Sequence, residues 1–259
     1  MNRMYENTKT WNPFVGCKYN NCIYCKPSFQ SVISRFAKLR AKRKDETPCP
    51  KCLRYEPHIH PERLSSIPSS QIVFVCGDSD IYFCDPSYVR NKIIPAIKRH
   101  IQINLPRARK YKNKQFYFQS KNPICLKRYI PDLMPIKEHV IFITTLETNR
   151  DAGYSKISKA PPPSKRYRDF LSLDYPRKVI TIEPVMDFDM EEFLRWILSI
   201  KPEYIWIGYN SRPKQVQLPE PSENKLKDFI ISLWDHNIEV KPKKNLRGLK
   251  EWFKNNNLF

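Results

Sequence analysis

The stretch Cys17-Lys-Tyr-Asn-Asn-Cys22-Ile-Tyr-Cys25 puts three thiols within nine residues, in a C-x4-C-x2-C spacing. Structural zinc takes four ligands, and no fourth Cys or His lies nearby in the chain. A [4Fe–4S] cluster normally takes four thiolates, so three leave one iron open to an outside ligand. An open iron can bind a substrate or cofactor directly. Zinc completed by a distant fourth ligand is the alternative occupant. A second group, Cys49-Pro-Lys-Cys52 followed by His58-Ile-His60, offers two thiolates and two imidazoles. Those make a closed tetrahedral set for zinc. The His-x-His spacing is tight, but alternate side chains of an extended segment share a face. In the competing view the cysteines bind alone and the histidines are surface groups. Cys76, Cys84 and Cys125 lie in apolar or mixed surroundings and read as ordinary buried thiols.

The elements that must position these groups follow from the apolar pattern. Residues 8–16 form a short apolar approach to the first cysteine. A helix is predicted over 28–44, with Val32, Phe36 and Leu39 on one face. Residues 45–70 are rich in Pro, Ser, Cys and His and read as a metal-stapled insertion. Strands are predicted at 72–76, 115–119, 140–145, 178–182, 204–208 and 238–241. Helical segments separate them: 87–101, bent at Pro95; one capped by Asp189 and Glu192; one capped by Ser222; and a last one carrying Leu249, Trp252 and Phe253. The segment 156–168, with three consecutive prolines, reads as an exposed basic loop.

This alternation predicts an α/β fold with a parallel sheet, and specifically a partial (β/α)6-type TIM barrel carrying a small zinc-binding insertion. The expected parts are 1–27 (first strand and cysteine loop), 28–70 (basic helix and Cys/His insertion) and 71–259 (the rest of the barrel and the C-terminal helices). Barrels carry their functional groups at the C-terminal ends of strands. Polar groups do end nearly every predicted strand: Asp78, Ser79 and Asp80; Ser120 and Lys121; Thr145 and Glu147; Glu183; Tyr209 and Asn210; Lys241. Such a set suggests a cavity for a polar ligand.

Composition limits the partners. Among 259 residues, 46 Lys and Arg face 26 Asp and Glu, a net charge of +20. Basic runs occur at 35–44 and 98–114 without an acid, and again near the C-terminus. Phosphate backbones bind such patches by releasing counterions, so nucleic acid is the expected partner. With only 5 Gly against 23 Pro, Gly-rich phosphate loops have no support. No apolar run approaches the roughly 18 residues of a membrane span, and residues 1–10 lack a secretory apolar stretch. No membrane partner and a cytoplasmic location are therefore expected.

The three cysteines, with an aromatic before the last, resemble the radical S-adenosylmethionine (SAM) enzymes. Their usual spacing is C-x3-C-x2-C; this chain has one extra residue in the first gap. Trp11-Asn12-Pro13, Cys76-Gly77-Asp78-Ser79-Asp80, Thr145-Leu146-Glu147, Ile182-Glu183-Pro184 and Ile205-Trp206-Ile207-Gly208 are similar to a branch found in phages and prokaryotes. That branch is distantly similar to spore photoproduct lyase, and some members are named for a three-cysteine motif and occur with a dedicated partner protein. The resemblance implies that Cys17, Cys22 and Cys25 hold a [4Fe–4S] cluster whose fourth iron is chelated by SAM. It implies Tyr24 against the adenine, Asp78 and Ser79 near the SAM amino group, and Thr145 and Glu147 at the ribose. Glu183 and Asn210 would flank the adenine, and Lys121 or Lys241 would meet the SAM carboxylate or a substrate phosphate.

The expected function is then reductive cleavage of SAM to a 5′-deoxyadenosyl radical that abstracts hydrogen from a nucleic acid or nucleotide substrate, with an electron donor as partner. The alternative is a zinc-stabilised, basic nucleic-acid-binding protein without redox chemistry. It would hold zinc at both cysteine groups.

Overall fold

A computed structural model describes residues 8–19, 22–104, 113–246 and 249–255. Seven strands form one parallel sheet: β1 (Thr8–Trp11), β4 (Ile72–Val75), β5 (Gln115–Gln119), β6 (Val140–Thr145), β7 (Lys178–Ile182), β8 (Ile205–Ile207) and β9 (Val240–Pro242). They lie in chain order and each pairs in parallel with the next. A separate antiparallel pair joins β2 (Phe14–Val15) to β3 (His58–Ile59). The sheet is an open barrel, as the alternation predicts, with seven strands rather than six.

Both sheet faces are apolar, which is why the strands read as continuous β-branched and aromatic runs. Outward residues such as Val75, Phe118, Phe142, Ile180 and Ile207 pack beneath helices in the main core. Inward residues Phe74, Tyr117, Ile141, Ile143, Val179, Tyr204 and Trp206 form a second core on the concave side. There the hydroxyls of Tyr117 and Tyr204 touch. The Lys241 ammonium stands 3.5 Å from the Tyr204 ring centroid and pairs with Glu239 at 3.3 Å. Lys241 therefore belongs to this floor rather than to a ligand site.

The predicted helices form, with informative departures. Helix α1 (Ser31–Lys44) buries Ile33 and Ala41, while Phe36 and Leu39 are exposed at 53% and 43%. Of the face expected to pack, Phe36 and Leu39 face water, while Val32 is half-buried. A π-helical turn at Val89–Ile93 precedes α3 (Ile94–Asn104), where the Ile94 N–H reaches back to Val89 and Pro95 has no N–H to give. Ser222 caps α6 (Glu223–Asp235) as predicted, accepting from the Lys225 N–H. Asp189 does not cap α5 (Met190–Ile200) with its side chain, because Arg150 takes that carboxylate. The 156–168 segment is no open loop: α4 (Pro163–Leu171) starts with proline at its first turn and buries Arg166 and Phe170. Between α1 and β3 lies the short helix α2 (Pro50–Arg54). Within the basic run at 98–114, residues 105–112 lie outside the described residues, as does Arg247. No described helix is long and apolar enough to cross a membrane.

Candidate functional site

The C-terminal ends of the strands open into a cavity of about 590 Å³. At one end stand Cys17, Cys22 and Cys25, with Tyr19 and Tyr55. Along the wall come Ser79 and Asp80 after β4, Lys121 after β5, and Thr145 at the end of β6. At the other end are Glu183, Asn210, Arg212 and Lys243. One chamber thus gathers groups from six strand ends, as the barrel rule requires.

The cysteine loop is fixed from two sides. Its start follows β2: the Gly16 N–H donates to the Asp78 carbonyl at 3.2 Å, and the Cys17 N–H to the Tyr55 carbonyl at 3.4 Å. Its end docks on the 154–158 turn: the Ile23 N–H donates to the Ile157 carbonyl at 3.0 Å, and the Cys22 sulfur lies 2.8 Å from the Ser158 hydroxyl. Burial pushes the Cys25 thiol up to about 11, with Lys121 pulling the other way. Gly16 has φ +98°, and a Cβ there would overlap the Glu56 carbonyl. Gly16→Ala is therefore expected to cost about 2–3 kcal/mol, read as a lower urea midpoint at unchanged slope.

Behind the wall lies a buried charge cluster. Glu147 is fully buried. One carboxylate oxygen accepts from Tyr24 Oη at 2.6 Å, Lys121 Nζ at 2.7 Å and Tyr154 Oη at 3.1 Å. The other accepts from Arg166 at 2.6 Å. Burial alone would raise this carboxyl, but Arg166 and then Lys121 outweigh it and hold it well below the usual carboxylate range. Lys121 also lies 4.5 Å from the Tyr24 ring centroid. Glu147 itself does not line the cavity; it aims Tyr24 and Lys121, which do.

Other predicted residues divide in the same way. Thr145 faces the chamber, its hydroxyl 2.9 Å from that of Thr181. Glu183 faces it too, contacted by the Lys243 ammonium and accepting from Asn245 at 3.1 Å. Asn210 lines the chamber, but its side chain bonds Val216 and Arg212 of its own loop. Asp78 turns away, accepting from Asn12 at 2.8 Å, while Asp80 points inward and takes Ser120 at 2.6 Å and the Lys121 N–H at 2.8 Å. Burial pushes Asp78 up to about 6. A carboxyl raised on folding costs stability that builds as pH rises from the unfolded value near 3.8 and is complete above about 6, so the apoprotein should gain about 1–2 kcal/mol between pH 7 and pH 5 from this group. Asp78→Asn should flatten that part of a pH-dependent denaturation profile.

Sequence reasoning missed Arg166, Lys243, Gln119, Thr181 and Tyr55. Strand periodicity was a usable signal for two of them. Lys243 lies two residues past Lys241, and Thr181 two before Glu183, each on the inward face. Cys76, Cys84 and Cys125 are buried and do not line the cavity.

The second cysteine group forms a compact set. The ligand atoms of Cys49, Cys52, His58 and His60 all lie within 4.8 Å of one another. Each imidazole offers its Nδ1 to an oxygen: His58 to the Glu56 carbonyl at 2.7 Å, His60 to Glu62 at 2.8 Å. Both Nε2 lone pairs then face each other at 2.8 Å, which is repulsive unless a cation lies between. Burial pulls His60 down to about 4, so its ring is neutral, the form that binds metal. Cys17, Cys22 and Cys25 do not make such a set among the described residues.

No protein-family model matches the chain, and no curated protein matches it. Among solved structures, Streptococcus suis SuiB matches in a structure with its precursor peptide SuiA and in one with S-adenosylmethionine. The TM-score is 0.51 in both, at 9% identity over 91% of this chain. The match covers 48% and 49% of SuiB, so the chain spans about half the length of that protein. The likeness is one of fold.

Proposed function

We propose that the chain is a radical SAM enzyme, with a [4Fe–4S] cluster on Cys17, Cys22 and Cys25 and a structural zinc on Cys49, Cys52, His58 and His60. The observation that carries this reading is the three thiols gathered on the lining of a chamber built from barrel strand ends. Its volume is that of a cofactor pocket. The shared fold with SuiB, which has been solved with SAM, supports the choice of cofactor.

When bound, the cluster supplies the single electron that breaks the S–C5′ bond of SAM. The protein's own groups position and shield. Tyr24 and Lys121, aimed by Glu147, present an aromatic face and a cation beside the cysteines. Thr145 and Thr181 offer hydroxyls at mid-wall. Glu183 and Lys243 form a paired polar end. The apolar floor keeps water from the reacting region. Ser79 is nearer than Asp78 to the role the family gives its amino-group segment.

For the substrate, the exposed residues Arg35, Lys38, Arg40, Lys42, Arg43 and Lys44 on α1 favour a polyanion such as nucleic acid. The SuiA-bound neighbour favours a peptide as the second reading. Oxygen-free reconstitution tests the core of the proposal. A brown protein with about four irons and one zinc per chain, cleaving SAM once reduced, is expected. A colourless protein holding zinc alone would overturn it. Salt-sensitive binding of RNA or DNA, compared with peptide mixtures, then decides the substrate class.

A further inference from the structure

We infer that metal binding by Cys49, Cys52, His58 and His60 sets the position of Cys17, so that the zinc site governs assembly of the cluster site. This rests on the radical SAM reading above and adds a dependence between its two metal centres.

The two sites share one small core. Val15, Ile33, Cys52 and Tyr55 are its buried members, with Cys17, Ala37 and Cys49 packed against them. Phe14 and the Gly16 N–H, bonded to the Asp78 carbonyl, tie the start of the segment to the main sheet, but a core of four buried residues is too small to fix the Cys/His side without a metal. The first cluster ligand is gripped by the residues between the zinc ligands. Tyr55 accepts the Cys17 N–H, and Glu56 lies against Gly16. Those two residues are themselves fixed by the metal ligands. The Tyr55 N–H donates to the Cys52 carbonyl at 3.2 Å, and the Glu56 carbonyl accepts from His58 Nδ1. His58 pairs with Val15 across β2–β3, and the His60 N–H donates to the Pro13 carbonyl at 2.7 Å.

Cys22 has no such tie. It docks on Ser158, and its neighbour Ile23 on Ile157, a segment the zinc group does not touch in any of these contacts. Losing zinc should thus release Cys17 while leaving Cys22 in place, and two thiolates do not retain a [4Fe–4S] cluster.

The test uses the full chain, as zinc-loaded wild type, chelator-stripped wild type, H60A and H60C. Amide hydrogen exchange over 13–19 is expected to rise at least tenfold in the stripped protein and in H60A, with exchange across β5–β7 unchanged. Iron uptake should fall from about four to below one per chain. Returning zinc to the stripped protein, or supplying the fourth donor as in H60C, should restore both. Unaltered exchange at Gly16 and Cys17 in zinc-free protein, or full iron uptake by it, would overturn the inference, as would acceleration spread over the whole sheet. If the zinc-loaded wild type takes up no iron, the radical reading falls, while the exchange comparison still decides whether zinc holds Cys17.

Discussion

Replacing Glu147 with glutamine should lower the unfolding free energy by about 3–5 kcal/mol, the range for removing one partner from a buried ionic group. The reason is the charge count behind the cavity wall. Arg166 is fully buried, Lys121 is 18% exposed, and a single carboxylate faces both. An amide of the same shape keeps the volume and loses the charge, leaving two cations to repel. The pH dependence follows from the direction of the shift. Glu147 is held well below the usual carboxylate range, so its contribution is full above the unfolded value near 4.5 and is lost progressively as pH falls from there through the folded value. Denaturant titrations at pH 7 and pH 3 should show the wild type losing stability that Glu147→Gln has already lost. Equal pH profiles for the two proteins would refute this account.

Cys25→Ala should leave below about one iron per chain and reduce SAM cleavage by more than about 100-fold, since even residues that only support a ligand cost 10- to 100-fold. Cys84→Ala is the matched control. Cys84 is buried away from the cavity, so iron content should stay at the wild-type level while stability drops by about 1 kcal/mol. Iron counts and visible absorption after oxygen-free reconstitution separate the two outcomes. Equal iron in both variants would place the cluster elsewhere.

The sheet was legible because strands buried on both faces must be written as unbroken β-branched or aromatic runs, as in β6, where every residue is buried. The cysteine groups were legible because metal ligands need fixed residue types at short spacings. Other features depend on information that is not local. Arg166 hid behind three prolines, which read as a loop although proline is also a good first residue of a helix. The buried face of α1 is set by Val15 and Tyr55 from elsewhere in the chain, so Ile33 and Ala37 pack there instead of the more apolar Phe36 and Leu39. After β4, Cys76 adopts φ 54°, which turns the following backbone so that Asp78 meets Asn12 and Asp80 enters the cavity. No spacing rule distinguishes those two aspartates.

The sheet ends at β1 on one side and β9 on the other, and these two strands do not pair with each other. A complete eight-stranded barrel has no sheet edge, whereas this sheet keeps two. Among the described residues no backbone pairing fixes the distance between those two edges, so the width of the strand-end chamber is set by side-chain packing.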